Sequence, residues 1–307
     1  LSSNEQGVAV GTRSFVATEI ASQPDNWLRA TEVAQRESRS LPSAGQTVAV
    51  IGCGTSWFMA MAYAALRESS GQGRTDAFPA SEIPCDRDYD RVVAITRSGT
   101  TTEVVDVLAR FAGRVPTTVV TGVADSPATA VADATILLDF ADERSVVQTR
   151  FATTALALLR ASLGEDLTSA ATDAETMMAT PLGGLPDADQ ITFLGRGWTV
   201  GLAQEAGLKL REAAGAWTEA YPAMEYRHGP ISIAQPGRVI WMFGASPRGL
   251  IAEVAGTGAV FVESGPLDPM AHLVLAQRVA VAAAQRRGLD PDHPRHLTRS
   301  VILSPAG

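Results

Sequence analysis

The chain has 307 residues, room for about two domains of ~100–200 residues each, with a core that needs no disulfide or metal staple. Hydrophobic residues make up 46% and charged residues 19%, which suits a compact fold and excludes a disordered chain. A net charge of -8 argues against a nucleic-acid-binding surface, and no apolar run reaches the ~18 residues of a membrane span. Two cysteines, Cys53 and Cys85, cannot build a disulfide framework, so a cytosolic setting is expected. Leu1 to Gln6 lacks a basic start followed by an apolar run, and no signal peptide is expected. Lys209 is the sole lysine among 25 basic residues.

Taken in order, residues 47–52 form a β-branched apolar run ending in glycine, the pattern of a buried strand. An alanine-rich helix is predicted over 56–67, a second strand over 91–96, and a helix opening near Thr101. Strands over 116–121 and 135–138 follow, then a helix over 147–163. This alternation predicts right-handed crossovers and a mainly parallel sheet covered on both faces. Residues 181–187 have linker composition, after which the pattern restarts with a strand over 190–194. Gly195-Arg196-Gly197-Trp198-Thr199 echoes Gly52-Cys53-Gly54-Thr55-Ser56, and Thr218-Glu219 before Pro222 echoes Ser81-Glu82 before Pro84. Two related α/β units are therefore expected.

Two strand-to-helix turns of the first half are rich in hydroxyls: Thr55 and Ser56, then Thr96, Ser98, Thr100, Thr101 and Thr102. Such turns aim backbone N–H groups and the positive end of a helix dipole at one spot, which suits a phosphomonoester. Ser and Thr also cap helices wherever they occur, so one such turn alone carries little. Neither a Walker A loop nor the dinucleotide fingerprint is present, because Trp57 stands where the latter needs glycine. On a helix predicted over 205–214, Lys209 and Glu212 share a face and could form a surface ion pair or move a proton. His228, before Gly229-Pro230, could reach a ligand or simply end a turn. His272, His293 and His296 lack ligand spacing, and neither metal nor cofactor is expected.

Gly52-Cys-Gly-Thr-Ser56, Thr96-Arg-Ser-Gly-Thr-Thr101, Lys209-Leu-Arg-Glu212 and Glu225-Tyr-Arg-His-Gly-Pro230 resemble the motifs of tandem sugar-isomerase (SIS) proteins. The resemblance is strongest to the isomerase half of glucosamine-6-phosphate synthase and runs over nearly the whole chain. It implies an α/β fold of two SIS domains, each a mainly parallel sheet between helices in a flavodoxin-like three-layer arrangement. The expected division is an N-terminal segment 1–28, a first SIS domain 29–180 and a linker 181–189. A second SIS domain at 190–290 and a C-terminal tail 291–307 that reaches the active site complete it. The segment before the first unit is expected to have no fold of its own, which leaves no place there for a glutaminase domain.

The resemblance further implies that Ser56, Thr96, Ser98 and Thr101 hold a sugar phosphate, with backbone help from Arg97. Gly54, Thr55, Val146, Gln148 and Arg299 fall where the family meets the sugar. Glu212 is implied as the carrier of a proton between C1 and C2, Lys209 as an active-site lysine. His228 is implied as the ring opener, supplied by the neighbouring subunit of a homodimer. The chain departs from the pattern at Arg299, where the synthase has an imine-forming lysine; a guanidinium stays protonated and cannot attack a carbonyl. Gln148 and Arg97 replace a small hydroxyl residue and a glutamine, and the second unit is short between about Ala245 and Leu267. The function implied is a glucosamine-6-phosphate deaminase or isomerase. Two alternatives stay open, a deglycase of 6-phosphorylated sugar–amine adducts and a non-catalytic sugar-phosphate sensor. No nucleic-acid or membrane partner is expected.

Overall fold

The computed structural model describes residues 14–84 and 86–304. Cys85 and the stretch read for a signal peptide lie outside the described residues. The first sheet contains β1 (Val48–Gly52), β2 (Thr75–Pro79), β3 (Arg91–Ile95), β4 (Thr117–Thr121) and β5 (Ala134–Leu137). Its strands are parallel and ordered β2-β1-β3-β4-β5, with Val50 beside Ala77 on one side and Val93 on the other. This is the flavodoxin-like strand order. All five residues of β1 are buried, as a parallel strand covered on both faces requires. Val48, Val50, Val93, Ile95 and Val120 project into one apolar cluster, while Ala49, Ile51, Val92, Ala94 and Val119 project into another. The second cluster is closed by Val104, Val107, Leu108 and Phe111 of α4 (Thr102–Phe111).

A second parallel sheet contains β6 (Gln190–Gly195), β7 (Thr218–Pro222), β8 (Arg238–Met242) and β9 (Val260–Glu263), in the order β7-β6-β8-β9. That order repeats the first sheet through its fourth strand. Leu194, Ile240 and Met242 face Leu250 and Val254 of α9 (Leu250–Ala255). Ile191, Phe193, Val239 and Trp241 face the other way and join the cluster that also receives Val48 and Val50. One apolar core thus runs between the two sheets. It is filled by α3 (Thr55–Ser69), α6 (Arg150–Ser162), α8 (Thr199–Ala214) and α10 (Pro269–Arg286). The remaining helices are α1 (Phe15–Ala21), α2 (Gln23–Arg36), α5 (Pro127–Val131) and α7 (Thr168–Ala179).

Three expectations need correction. The segment expected to lack a fold is helical from Phe15 onward, and α2 runs straight across the boundary drawn at residue 28. Trp27 is the reason: its ring is fully buried and its Nε1 donates to Thr153 Oγ1 of α6 at 2.9 Å. The helix predicted over 147–163 starts only at Arg150, because the buried Glu143 carboxylate accepts from the N–H groups of Thr149 and Arg150. The preceding residues are left as a loop. The edge strands β2 and β7 escaped the sequence reading because each is half polar and ends in proline, which only a sheet edge tolerates.

The contact that positions the site is the crossing of α3 and α8. Gly201 allows it, since a Cβ there would stand 2.4 Å from the Phe58 carbonyl oxygen and 3.0 Å from the Ala62 nitrogen. No main-chain atom can yield at such a contact without moving a helix. Gly201→Ala is expected to cost about 1–3 kcal/mol by overpacking, read as a lower denaturation midpoint at unchanged slope.

Candidate active site

β1 and β3 lie next to each other while their outer neighbours run off in opposite directions, so their carboxyl ends flank the switch point where open α/β sheets bind ligands. The turns that leave these two strands open α3 and α4. Gly99, with φ 66°, makes the second turn possible, because a Cβ there would meet Ser126 Oγ at 2.1 Å. The carbonyls of Arg97 and Gly99 are held at the back by the N–H groups of Gly122 and Ala128. The N–H groups of Ser98, Gly99 and Thr101 are left without a partner among the described residues. Free donors at a helix N-terminus favour an anion.

A cavity of about 210 Å³ opens at this point. Gly54, Thr55, Ser56, Thr96, Arg97, Ser98 and Thr101 line its cradle side. Glu212 of α8 lines the opposite side, and Val146 and Gln148 come from the loop that Glu143 keeps out of α6. The amide oxygen of Gln148 is buried and has no hydrogen-bond partner. Residues Leu297 to Val301 of the C-terminal segment close the cavity, Arg299 among them. Sequence reasoning named Arg299 alone from that stretch; Thr298 and Ser300 bring two further hydroxyls. Cys53 also lines the cavity, and burial, with Glu103 nearby, pushes its thiol up to about 11, so it is no nucleophile at neutral pH.

Four of the expected residues are placed as follows. Lys209 and Glu212 are not a surface pair: Lys209 is 1% exposed, donating to Thr55 Oγ1 at 3.0 Å and to Glu212 Oε2. The Arg97 guanidinium turns away from the cradle and donates to the carbonyls of Ser145, Val146 and Arg299. Only its main chain can serve a phosphate. His228 sits in a 3-10 turn, exposed, and does not line this cavity.

Glu205 was missed, although it precedes Lys209 by four residues on the same helix and so had a readable signal. Its side chain is fully buried and neither oxygen has a hydrogen-bond partner, the nearest cation being Lys209 Nζ at 3.5 Å. Burial pushes the Glu205 carboxyl up from 4.5 to about 8; Lys209 opposes this and Glu212 reinforces it. Burial alone would also pull the Lys209 ammonium down, but Glu205, Glu212 and Glu143 outweigh it and hold its pKa above the usual lysine value. The ammonium is bonded to Glu212 and stands 3.5 Å from Glu205.

The sign of the linkage follows. Folded Glu205 holds its proton more tightly than the unfolded chain does, so its contribution to stability is full below pH 4.5 and is lost as pH rises through 8. Glu205→Gln keeps the shape without the charge and is expected to flatten that decline. Denaturant titrations from about pH 5 to pH 9 measure it, and equal pH slopes for both proteins would contradict the assignment.

No family model matches the chain. It is 28% identical to a glutamine–fructose-6-phosphate aminotransferase (isomerizing) from Pyrobaculum aerophilum, over 98% of this chain and 59% of that protein. A protein of the same name from Sulfolobus acidocaldarius is 27% identical over 95% of this chain and 57% of its own length. The chain thus spans about three-fifths of the length of the curated relatives it matches. Among solved structures, a glucosamine-6-phosphate deaminase from Thermotoga maritima superposes with a TM-score of 0.79 at 25% identity, covering 94% of this chain and 100% of that one. A tagatose-6-phosphate ketose/aldose isomerase from Escherichia coli gives 0.79 at 20% identity, covering 97% and 98%, a likeness of fold alone. The chain is homologous to the isomerase portion of the aminotransferases and has the α/β fold of the phosphosugar isomerases, and these relatives and neighbours are enzymes of sugar phosphates.

Proposed function

We propose that the chain is an enzyme acting on an amino-sugar 6-phosphate, a glucosamine-6-phosphate deaminase of the isomerising type. The observation that carries this reading is the meeting, in one cavity, of two hydroxyl-rich helix N-termini with the Glu212 carboxylate. At about 210 Å³ the cavity is smaller than the ~300–1,000 Å³ of pockets for drug-sized ligands, which suits one small metabolite. The phosphate would lie in the cradle against the free N–H groups of Ser98, Gly99 and Thr101 and the hydroxyls of Ser56, Thr96, Ser98 and Thr101.

With the phosphate anchored there, the sugar extends toward Glu212 and Gln148. Glu212 takes the C2 proton of the open-chain aldose and delivers it to C1, while O1 gains a proton and the amine nitrogen loses one, which leaves a ketimine at C2. Water adds to that carbon, ammonia departs, and fructose 6-phosphate results. Lys209 orients Glu212 and keeps a positive charge beside the developing enolamine. Ring opening falls to His228, brought to the cavity by a second copy in a homodimer, since it lies outside the cavity of its own chain. The shared strand order supports two SIS units, one built on each sheet and joined by 181–189.

Among the described residues no lysine amine is free to take part. The Arg299 guanidinium is bonded to Glu143 O and Asp142 Oδ1, and the sole lysine is held by Thr55 and Glu212. Purified protein incubated with glucosamine 6-phosphate is expected to release ammonia and fructose 6-phosphate in equal amounts. Glu212→Gln is expected to lower turnover by about 10²–10⁴-fold while sugar-phosphate binding persists. Full activity in that variant would refute the assignment. Borohydride added with fructose 6-phosphate is expected to leave the peptide that contains Lys209 at its native mass; a reduced adduct there would show that an imine forms after all.

A further inference from the structure

The two arginines that depart from the family pattern are joined to each other. The Arg97 side chain is 4% exposed and donates through Nη2 to the Arg299 carbonyl at 3.0 Å. The Arg299 side chain in turn donates to the Glu143 carbonyl and to Asp142 Oδ1. The Glu143 carboxylate, wholly buried, lies 3.6 Å from Arg97 Nη1, which also donates to Ser145 O at 3.1 Å. Arg97, Arg299 and Glu143 therefore close a ring, each holding the next, across more than 200 positions of sequence. Every member belongs to a different wall of the cavity: the cradle turn, the sugar-facing loop and the C-terminal segment.

Asp292 pins the start of the tail, accepting from Val146 N through its carbonyl and from Phe15 N and Val16 N through its carboxylate; past it the segment has few other anchors. Val301 O accepts from Thr102 N at 3.2 Å, Leu303 N donates to Thr102 Oγ1 at 2.9 Å, and Ser300 Oγ meets Thr100 Oγ1 at 2.9 Å. Its apolar side chains do not hold it down, for Val301, Ile302 and Leu303 are 53%, 69% and 56% exposed. Single hydrogen bonds to exposed strands of chain contribute little, while charge-assisted bonds from a buried guanidinium are about twice as strong. Guanidinium also makes several bonds in fixed directions, which neither glutamine nor lysine can reproduce.

We propose that Arg97 and Arg299 are positioning residues, a reciprocal clasp with Glu143 that keeps the C-terminal segment in place as the fourth wall of the cavity. With the clasp open, the segment leaves the N-terminus of α4, and the cavity loses the hydroxyls of Thr298 and Ser300. The fold beneath does not depend on the Arg299 side chain, and neither does the Lys209–Glu212 pair, which sits on α8. The clasp itself can be tested without substrate; only its effect on catalysis rests on the function proposed above.

Amide hydrogen exchange of the full chain, without ligand, tests the clasp. Arg299→Gln and Arg97→Gln are each expected to speed exchange at Thr102 and Leu303 by about tenfold or more, while amides of β3 keep the native rate. Arg299→Gln decides alone if Arg97→Gln, which leaves Glu143 buried without its partner, does not fold. Unchanged exchange in Arg299→Gln, or a rise confined to Arg97→Gln, overturns the proposal, since the ring then does not need the Arg299 side chain. Calorimetric titration with inorganic phosphate adds a second arm: Arg299→Gln is expected to bind it at least about fivefold more weakly, and equal affinity would also count against the clasp. With a turned-over sugar phosphate, KM is expected to rise while kcat changes less than about twofold. An equal fall in kcat and kcat/KM at constant KM would instead mean that Arg299 acts on the chemical step, and would overturn the positioning role.

Discussion

The site depends on how closely α8 approaches α3. The hydroxyl-rich turns belong to the first sheet and the Glu212 carboxylate to α8, the helix that follows the first strand of the second. They meet only because Gly201 lets the α8 backbone rest on the Phe58 carbonyl. From that crossing the geometry follows in steps: Lys209 Nζ reaches Thr55 Oγ1 at the start of α3, and Glu212, one turn further, faces the cavity. The shared apolar core between the sheets makes this arrangement stiff, since close-packed interiors do not deform gradually.

Much of the fold was legible because parallel strands covered on both faces carry continuous apolar runs, and Val48–Gly52 and Thr117–Thr121 are of that kind. The cradle was legible too, from hydroxyls clustered at two turns whose strands turned out to be neighbours. What could not be read were contacts that depend on long-range packing. Trp27 belongs to a helix whose amphipathic face finds its partner, α6, more than 120 positions away. The i,i+4 spacing of Glu205 to Lys209 could be read, but its complete burial could not. The directions of the Arg97 and Arg299 side chains are a product of tertiary structure; the resemblance placed the Arg97 main chain at the phosphate and Arg299 at the sugar, and neither says where a guanidinium turns.

Around the cavity the protein buries charges of both signs, and it does so in alternation. Glu19 accepts from Ser145 Oγ and Arg144 N, Glu143 lies by Arg97, and Lys209 stands between Glu205 and Glu212. Unpaired, each would carry a large desolvation penalty; paired, they hold loops in one geometry at little net gain in stability. The cost is most visible at Glu205, where neither oxygen finds a hydrogen bond and burial pushes the carboxyl well above its usual value. Such an arrangement favours definite placement of the walls over tightness of the fold.

The replacement of lysine by arginine everywhere but at position 209 has a practical side. Lysine-directed acylation, aldehyde cross-linking and attachment to activated supports need an accessible ε-amino group, and the folded chain keeps its own inside α8, 1% exposed. A protease that cuts after lysine has a single bond to find, and it lies in the middle of a packed helix. Cleavage at that bond therefore registers separation of α8 from α3, which makes the lysine a built-in reporter for the crossing on which the cavity stands.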